Sequence, residues 1–171
     1  MRPPTHRVVM GLEEVRLGPG PFVGKAKPRA SGTKALGLRY EKALAKLIPE
    51  AKHGLWINFK DLNGWGWCQP DLLVRNFRWK MATGREQLWT LILEAKLSYT
   101  VNGHLQIEEL YAPVVERLWG QPCLGIVVCK HLSDAAEPKI ITDNLRQALD
   151  LAARGRSILH WMGNSIPPPH Y

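Results

Sequence analysis

A chain of 171 residues has room for one domain with a genuine core, and 23 basic against 15 acidic residues give it a formal net charge of +8 and a pI near 9.6. That balance favours a polyanionic partner, because clustered Lys and Arg release counterions from a phosphate backbone. No apolar run approaches the roughly 20 residues of a bilayer span and no signal-peptide core follows the start, so no membrane role and a cytoplasmic location are expected. Cys68, Cys123 and Cys129 lack CxxC spacing and read as small core residues in a reducing compartment.

Residues 1–33 are interrupted by Pro3, Pro4, Pro19, Pro21 and Pro28 and carry Arg2, Arg7, Arg16 and Lys25 among their basic residues. They predict a basic arm, with a short strand at Val8 to Met10, that lies along a phosphate backbone or across a partner subunit. A main domain follows over 34–160, and 161–171 read as a tail. Thr33 is placed to cap a helix over Lys34 to Leu47, with Leu36, Tyr40, Leu44 and Leu47 at helical spacing and Pro49 closing it. Glu41 shares a face with Leu44, Ala45 and Ile48, so an acid is aimed at the core side with no lysine three or four positions on.

Leu55 to Phe59 reads as a first strand, and Asp61 to Trp67, with Asn63-Gly64, as a tight turn that also holds Trp65 and Trp67. Cys68 to Val74 reads as a second strand and carries Asp71; Leu91 to Lys96 reads as a third and carries Glu94 and Lys96. Residues two apart on a strand face the same way. Glu94 and Lys96 therefore project with Thr90 and Ile92, while Leu93, Ala95 and Leu97 take the other face. A carboxylate in such an apolar run is costly unless a cation meets it. Between these strands Arg75, Arg78, Lys80 and Arg85 are interleaved with Phe77 and Trp79, a mix suited to tracking phosphates. A helix over about Leu105 to Trp119 follows, with Leu110, Val114, Val115 and Leu118 as its buried stripe and a kink or a late helix start expected at Pro113. Cys123 to Lys130 reads as a fourth strand, and Thr142 to Ala153 as a closing helix.

Pro70-Asp71, followed by Glu94-Ala95-Lys96 with each half on an apolar strand, resembles the signature of the PD-(D/E)XK nuclease superfamily. The element order of helix, three strands, helix and strand over roughly 34–130 is similar to that of its core. The resemblance implies an α/β fold with a central mixed four-stranded sheet flanked by helices, as in restriction endonucleases. It also implies hydrolysis of phosphodiester bonds in DNA with Mg2+, for which Mn2+ would substitute. Asp71, Glu94, the Ala95 carbonyl and Glu41 become the expected metal ligands, hard oxygens for a hard cation, and Lys96 the residue that steadies the transferring phosphate. Arg75, Arg78, Lys80 and Arg85 become the expected DNA contacts.

In one branch of the superfamily a Gln and a Tyr four positions apart follow the catalytic strand. Here Gln106 and Tyr111 are five apart, about 140° around an α-helix. Gln106 is kept as a candidate and Tyr111 is not. A chain this small suits a stand-alone enzyme, such as a junction-resolving or phage recombination and repair nuclease, and symmetric action on a junction would require a homodimer. Two other readings stand beside it. One is a nucleic-acid-binding protein that keeps the fold without turnover, for example in phage packaging or assembly; the other is a structural protein in which Glu94 and Lys96 form an ordinary ion pair.

Overall fold

The computed structural model describes residues 7–21, 24, 30–80, 83–98, 101–131, 141–142 and 158–161. Its strands and helices run in the order β1 (Glu14–Leu17), α1 (Gly32–Leu47), β2 (Lys52–His53), β3 (Ile57–Asp61), β4 (Gly64–Cys68), β5 (Leu72–Lys80), β6 (Glu86–Ser98), α2 (Val101–Gln106), a π-helical segment (Ile107–Tyr111), α3 (Ala112–Trp119), β7 (Cys123–His131), β8 (Ile141–Thr142) and β9 (Ile158–Trp161). The fold is α/β with a mixed sheet. Its strand order among the described residues is β2-β5-β6-β7-β9-β8, in which β2-β5-β6-β7 make the expected mixed four strands and β9 and β8 extend the sheet beyond β7.

The longest strand, β6, lies in the middle of this sheet. It pairs antiparallel with β5 and parallel with β7, and every residue from Trp89 to Ala95 is buried. The alternation expected from the sequence separates its two faces. Leu91, Leu93 and Ala95 pack with Tyr40 and Leu44 of α1, whereas Ile92 packs with Ile107, Leu110 and Val114 of the following helical layer. A strand covered on both faces reads as an unbroken apolar run, which is why Leu91-Ile92-Leu93 stands out.

Several boundaries differ from expectation, each for a physical reason. The run expected as one strand from Cys68 to Val74 is broken by Gln69-Pro70, since proline has no N–H for a ladder. The segment before the break belongs to a separate three-stranded sheet of order β1-β3-β4, in which Trp65 and Trp67 are strand residues. Leu62 and Asn63 make the hairpin turn, and Gly64 takes the left-handed conformation at φ 90°. In the first 33 residues the strand is Glu14–Leu17, not Val8 to Met10. The described part of the expected arm is packed: Arg7 pairs with the buried Asp61, which also accepts hydrogen bonds from the N–H groups of Asn63 and Met10. Helix α1 begins at Gly32 with Ser31 at its N-cap, so Thr33 is not the cap. Thr142 lies in β8, and the remainder of the helix expected over Thr142 to Ala153 falls outside the described residues; of the expected tail, Trp161 ends β9 and 162–171 fall outside them.

Pro113 falls in the first turn of α3, the late helix start that is one of the two expectations for it. In an α-helix its N–H would bond the carbonyl of Glu109, and proline has none to give. The Ala112 N–H instead reaches back five residues to the Ile107 carbonyl, the π-helical pattern. The Glu109 carbonyl accepts a hydrogen bond from the Val9 N–H at 2.9 Å, which fastens the N-terminal segment to the helical layer.

Candidate active site

The site forms where two strands part. Pairing of β5 with β6 ends at Leu72 opposite Leu93, so among the described residues β6 from Glu94 onward has a strand neighbour only on its β7 side. Asp71 stands just before β5 and fills the first gap on that open edge. Its Oδ2 accepts a 2.7 Å hydrogen bond from the Ala95 N–H, replacing the missing strand with a side chain. The N–H and C=O of one strand residue point to the same edge, so the Ala95 carbonyl also faces the gap.

Glu94 and Lys96 project from the sheet face that carries Ile92, as their spacing requires. Glu94 is 2% exposed, and its Oε1 accepts a 2.5 Å bond from Lys96 Nζ. Lys96 also donates to Gln106 Oε1 at 3.0 Å, so the amide at the end of α2 fixes where the ammonium sits. Gly103 lets α2 come this near: a Cβ there would lie 3.1 Å from Val127 and 3.4 Å from the Lys96 stem. Glu41 reaches the cluster from α1. Its Oε2 lies 3.5 Å from His53 Nε2, and β2 places that histidine opposite Leu72, next to Asp71.

The electrostatics are those of too many acids for the cations present. Burial, then the charge of Asp71, pushes Glu94 up to about 8, against the opposing pull of Lys96. Burial and Asp71 likewise push Glu41 up to about 7. Burial also raises Asp71, restrained by the Ala95 N–H and by Lys96. Burial alone would lower Lys96, but the facing acids, Glu94 first, hold it above its ordinary value, so it stays an ammonium. Glu94 Oε2 is buried without a hydrogen-bond partner, with the Asp71 carboxyl as its charged neighbour. An orphaned carboxylate oxygen beside a second carboxylate is chemically matched to a hard divalent cation, which needs only one or two protein carboxylates when substrate and water supply the rest. Among the described residues no group of three or more His, Cys, Asp or Glu side chains is arranged to hold a metal by itself. The oxygen donors that face one another there are the carboxylates of Asp71 and Glu94 and the Ala95 carbonyl, with Glu41 beside them.

No family model, curated protein or solved structure matches the chain. The resemblance read from Pro70-Asp71 and Glu94-Ala95-Lys96 rests on residues and geometry alone.

Of the residues nominated by sequence, the structure gathers Asp71, Glu94, Ala95, Lys96, Glu41 and Gln106 in one place. Arg75, Arg78, Lys80 and Arg85 lie apart from them, exposed on the β5–β6 hairpin. Sequence reasoning set Tyr111 aside on an α-helical assumption. In a π turn residues five apart lie nearly one above the other, so Tyr111 returns to the side of Gln106. Burial raises the Tyr111 hydroxyl well above its ordinary value, and the charges of Glu94 and Asp71 raise it further. His53 was missed as well, because nothing in its sequence context marks a two-residue strand. Trp56 and Trp67 pack edge to face at 4.9 Å, while Trp65 is exposed beneath the Arg16 guanidinium.

Proposed function

We propose that this chain is a metal-dependent endonuclease of the PD-(D/E)XK type that hydrolyses phosphodiester bonds in DNA. The observation that carries the reading is the convergence of Asp71, Glu94 and Lys96 at the opened edge of β6, with Glu94 Oε2 buried and unpartnered. Asp71, Glu94, the Ala95 carbonyl and Glu41 would hold Mg2+ or Mn2+. Such a cation supplies Lewis-acid stabilisation of charge on the transferring phosphate. Lys96 presents a fixed ammonium to the same phosphate, because Glu94 and Gln106 hold its Nζ from two sides. The Tyr111 hydroxyl, raised by burial and neighbouring acids, stays protonated and can donate into the site. The net charge of +8 supports a polyanionic substrate, and a buried acid pair next to a bound phosphate gains nothing in a pure binder.

The test is cleavage of four-way junction, flap, duplex and single-stranded DNA with Mg2+, Mn2+ or EDTA, beside Asp71→Asn. Metal-dependent cutting that Asp71→Asn abolishes supports the reading. Binding without cutting under every metal would replace it with a nucleic-acid-binding protein of nuclease-like fold.

A further inference from the structure

The β5–β6 hairpin mixes basic and aromatic residues in sequence, but the structure sorts them onto opposite faces. The cause is a β-bulge between Val74 and Phe77: Val74 pairs with Leu91 and Phe77 with Trp89, so β5 spends one residue more than its partner. Asn76, at φ 59°, adopts the left-handed conformation that this extra residue requires, one that asparagine tolerates better than most. Gln121 clamps it, accepting from the Asn76 N–H at 3.3 Å and from the Thr90 hydroxyl at 3.1 Å while donating to Asn76 Oδ1.

Adding one residue inverts the facing of everything after it. Phe77 and Trp79 join the α1 face and pack against its core. Arg78 and Lys80 pair with Leu88 and Glu86, so they share the face of Ile92, Glu94 and Lys96. Arg75, in the bulge, lays its guanidinium 5.5 Å above the Trp119 ring in the helical layer on that same side. The acids nearby are Glu86, 3.8 Å from Arg78 with both groups solvated, and Glu50, which lines an open cleft with Arg75 and Arg78; solvated acids of this kind are too weak to cancel the stripe.

We propose that the bulge serves to line up Arg75, Arg78 and Lys80 on the carboxylate face as a phosphate track for a duplex arm of the substrate. At about 3.3 Å per strand residue, the positions opposite these side chains lie about 13, 20 and 26 Å along β6 from Glu94. A duplex rising 3.4 Å per base pair covers that track in about eight pairs. The arm is double-stranded because Phe77 and Trp79, which could stack on unpaired bases, face the protein core. Charge without a stacking platform suits a strand whose bases are already stacked in a helix.

The inference rests on the nuclease reading for the direction in which the arm leaves the site, but its test reads binding. Anisotropy in EDTA would follow DNA whose duplex arm is shortened from about sixteen to about four base pairs, with the wild-type chain, the double variant Arg78→Ala/Lys80→Ala and a chain lacking Asn76. The wild type should lose affinity once the arm falls below about eight pairs, and its log–log salt slope should exceed that of the double variant by about 1.8. Removal of Asn76 should mimic the double variant, and if that chain does not fold the double variant decides. Wild-type binding that ignores arm length, equally tight binding of single strands, or an unchanged slope in the double variant would overturn the inference while leaving cleavage by Asp71 and Glu94 standing. Arm-dependent binding without cutting would instead retain the track and remove the nuclease.

Discussion

Glu94→Gln should stabilise the metal-free protein at alkaline pH, although it removes an ion pair. In the folded chain burial and the Asp71 charge lift Glu94 from 4.5 to about 8, so the native state holds this proton where the unfolded chain has released it. Stability then falls as pH rises through that window, because the native state binds more protons than the unfolded one. At about 1.4 kcal/mol per pH unit the full penalty reaches about 5 kcal/mol above pH 8. Gln keeps the shape and removes the charge. The Gln Oε1 still accepts from Lys96 Nζ, and the pull of Lys96 on the ionised Glu94 is already contained in the value of about 8. A gain of up to about 5 kcal/mol, or about 10–20 °C in Tm, is expected at pH 9 and almost none at pH 5. Thermal unfolding of both proteins in EDTA at the two pH values measures it. Added Mn2+ should reverse the order by stabilising the wild type through binding. Equal Tm values at pH 9, or a gain of the same size at pH 5, would refute the reasoning.

Tyr111→Phe should leave the fold intact and slow cleavage by roughly tenfold, the worth of one positioned hydrogen bond, in a single-turnover assay. Gly125→Ala should destabilise by about 1–3 kcal/mol in urea, because its Cβ would lie 2.3 Å from Ile107 Cγ2, a branched side chain that cannot swing aside without moving the π segment. The same variant should lower cleavage, since that segment aligns Gln106 with Tyr111. Asp61→Ala should cost about 3 kcal/mol by stranding the Arg7 guanidinium under the small sheet. Burial opposes its ionisation, but Arg7 and the Asn63 and Met10 N–H groups hold the Asp61 carboxyl below its ordinary value. Its contribution is therefore full at neutral pH and lost in acid, so wild type and variant should converge in acid unfolding curves.

What was legible in the sequence was whatever a fixed period encodes. Alternation on β6 sorted Glu94 and Lys96 from Leu93 and Ala95, and helical offsets placed Glu41 with Leu44 and Ala45. Two failures lay where one residue breaks a period. The bulge at Asn76 inverts the hairpin, and the π turn ahead of Pro113 changes which residues stack on Gln106. Both carry faint marks, an asparagine amid basic residues and a proline within a helical stretch, but neither mark says how the backbone will absorb it. The small sheet escaped notice because β1 lies among prolines and glycines and is held by pairing with β3, a contact distant in sequence. His53 shares that difficulty, since a two-residue strand has no period at all.

The bond from the Ala95 amide to the Asp71 carboxylate makes the backbone a reporter on the site. Most amides in a buried strand sense only their ladder partner, but this proton senses the charge of a side chain at the opened edge. Protonation of Asp71, or a cation drawing its electrons away, should weaken the acceptor and shift the Ala95 nitrogen and proton resonances without any cleavage taking place. A single cross-peak would thus read the ionisation of the acid cluster in solution.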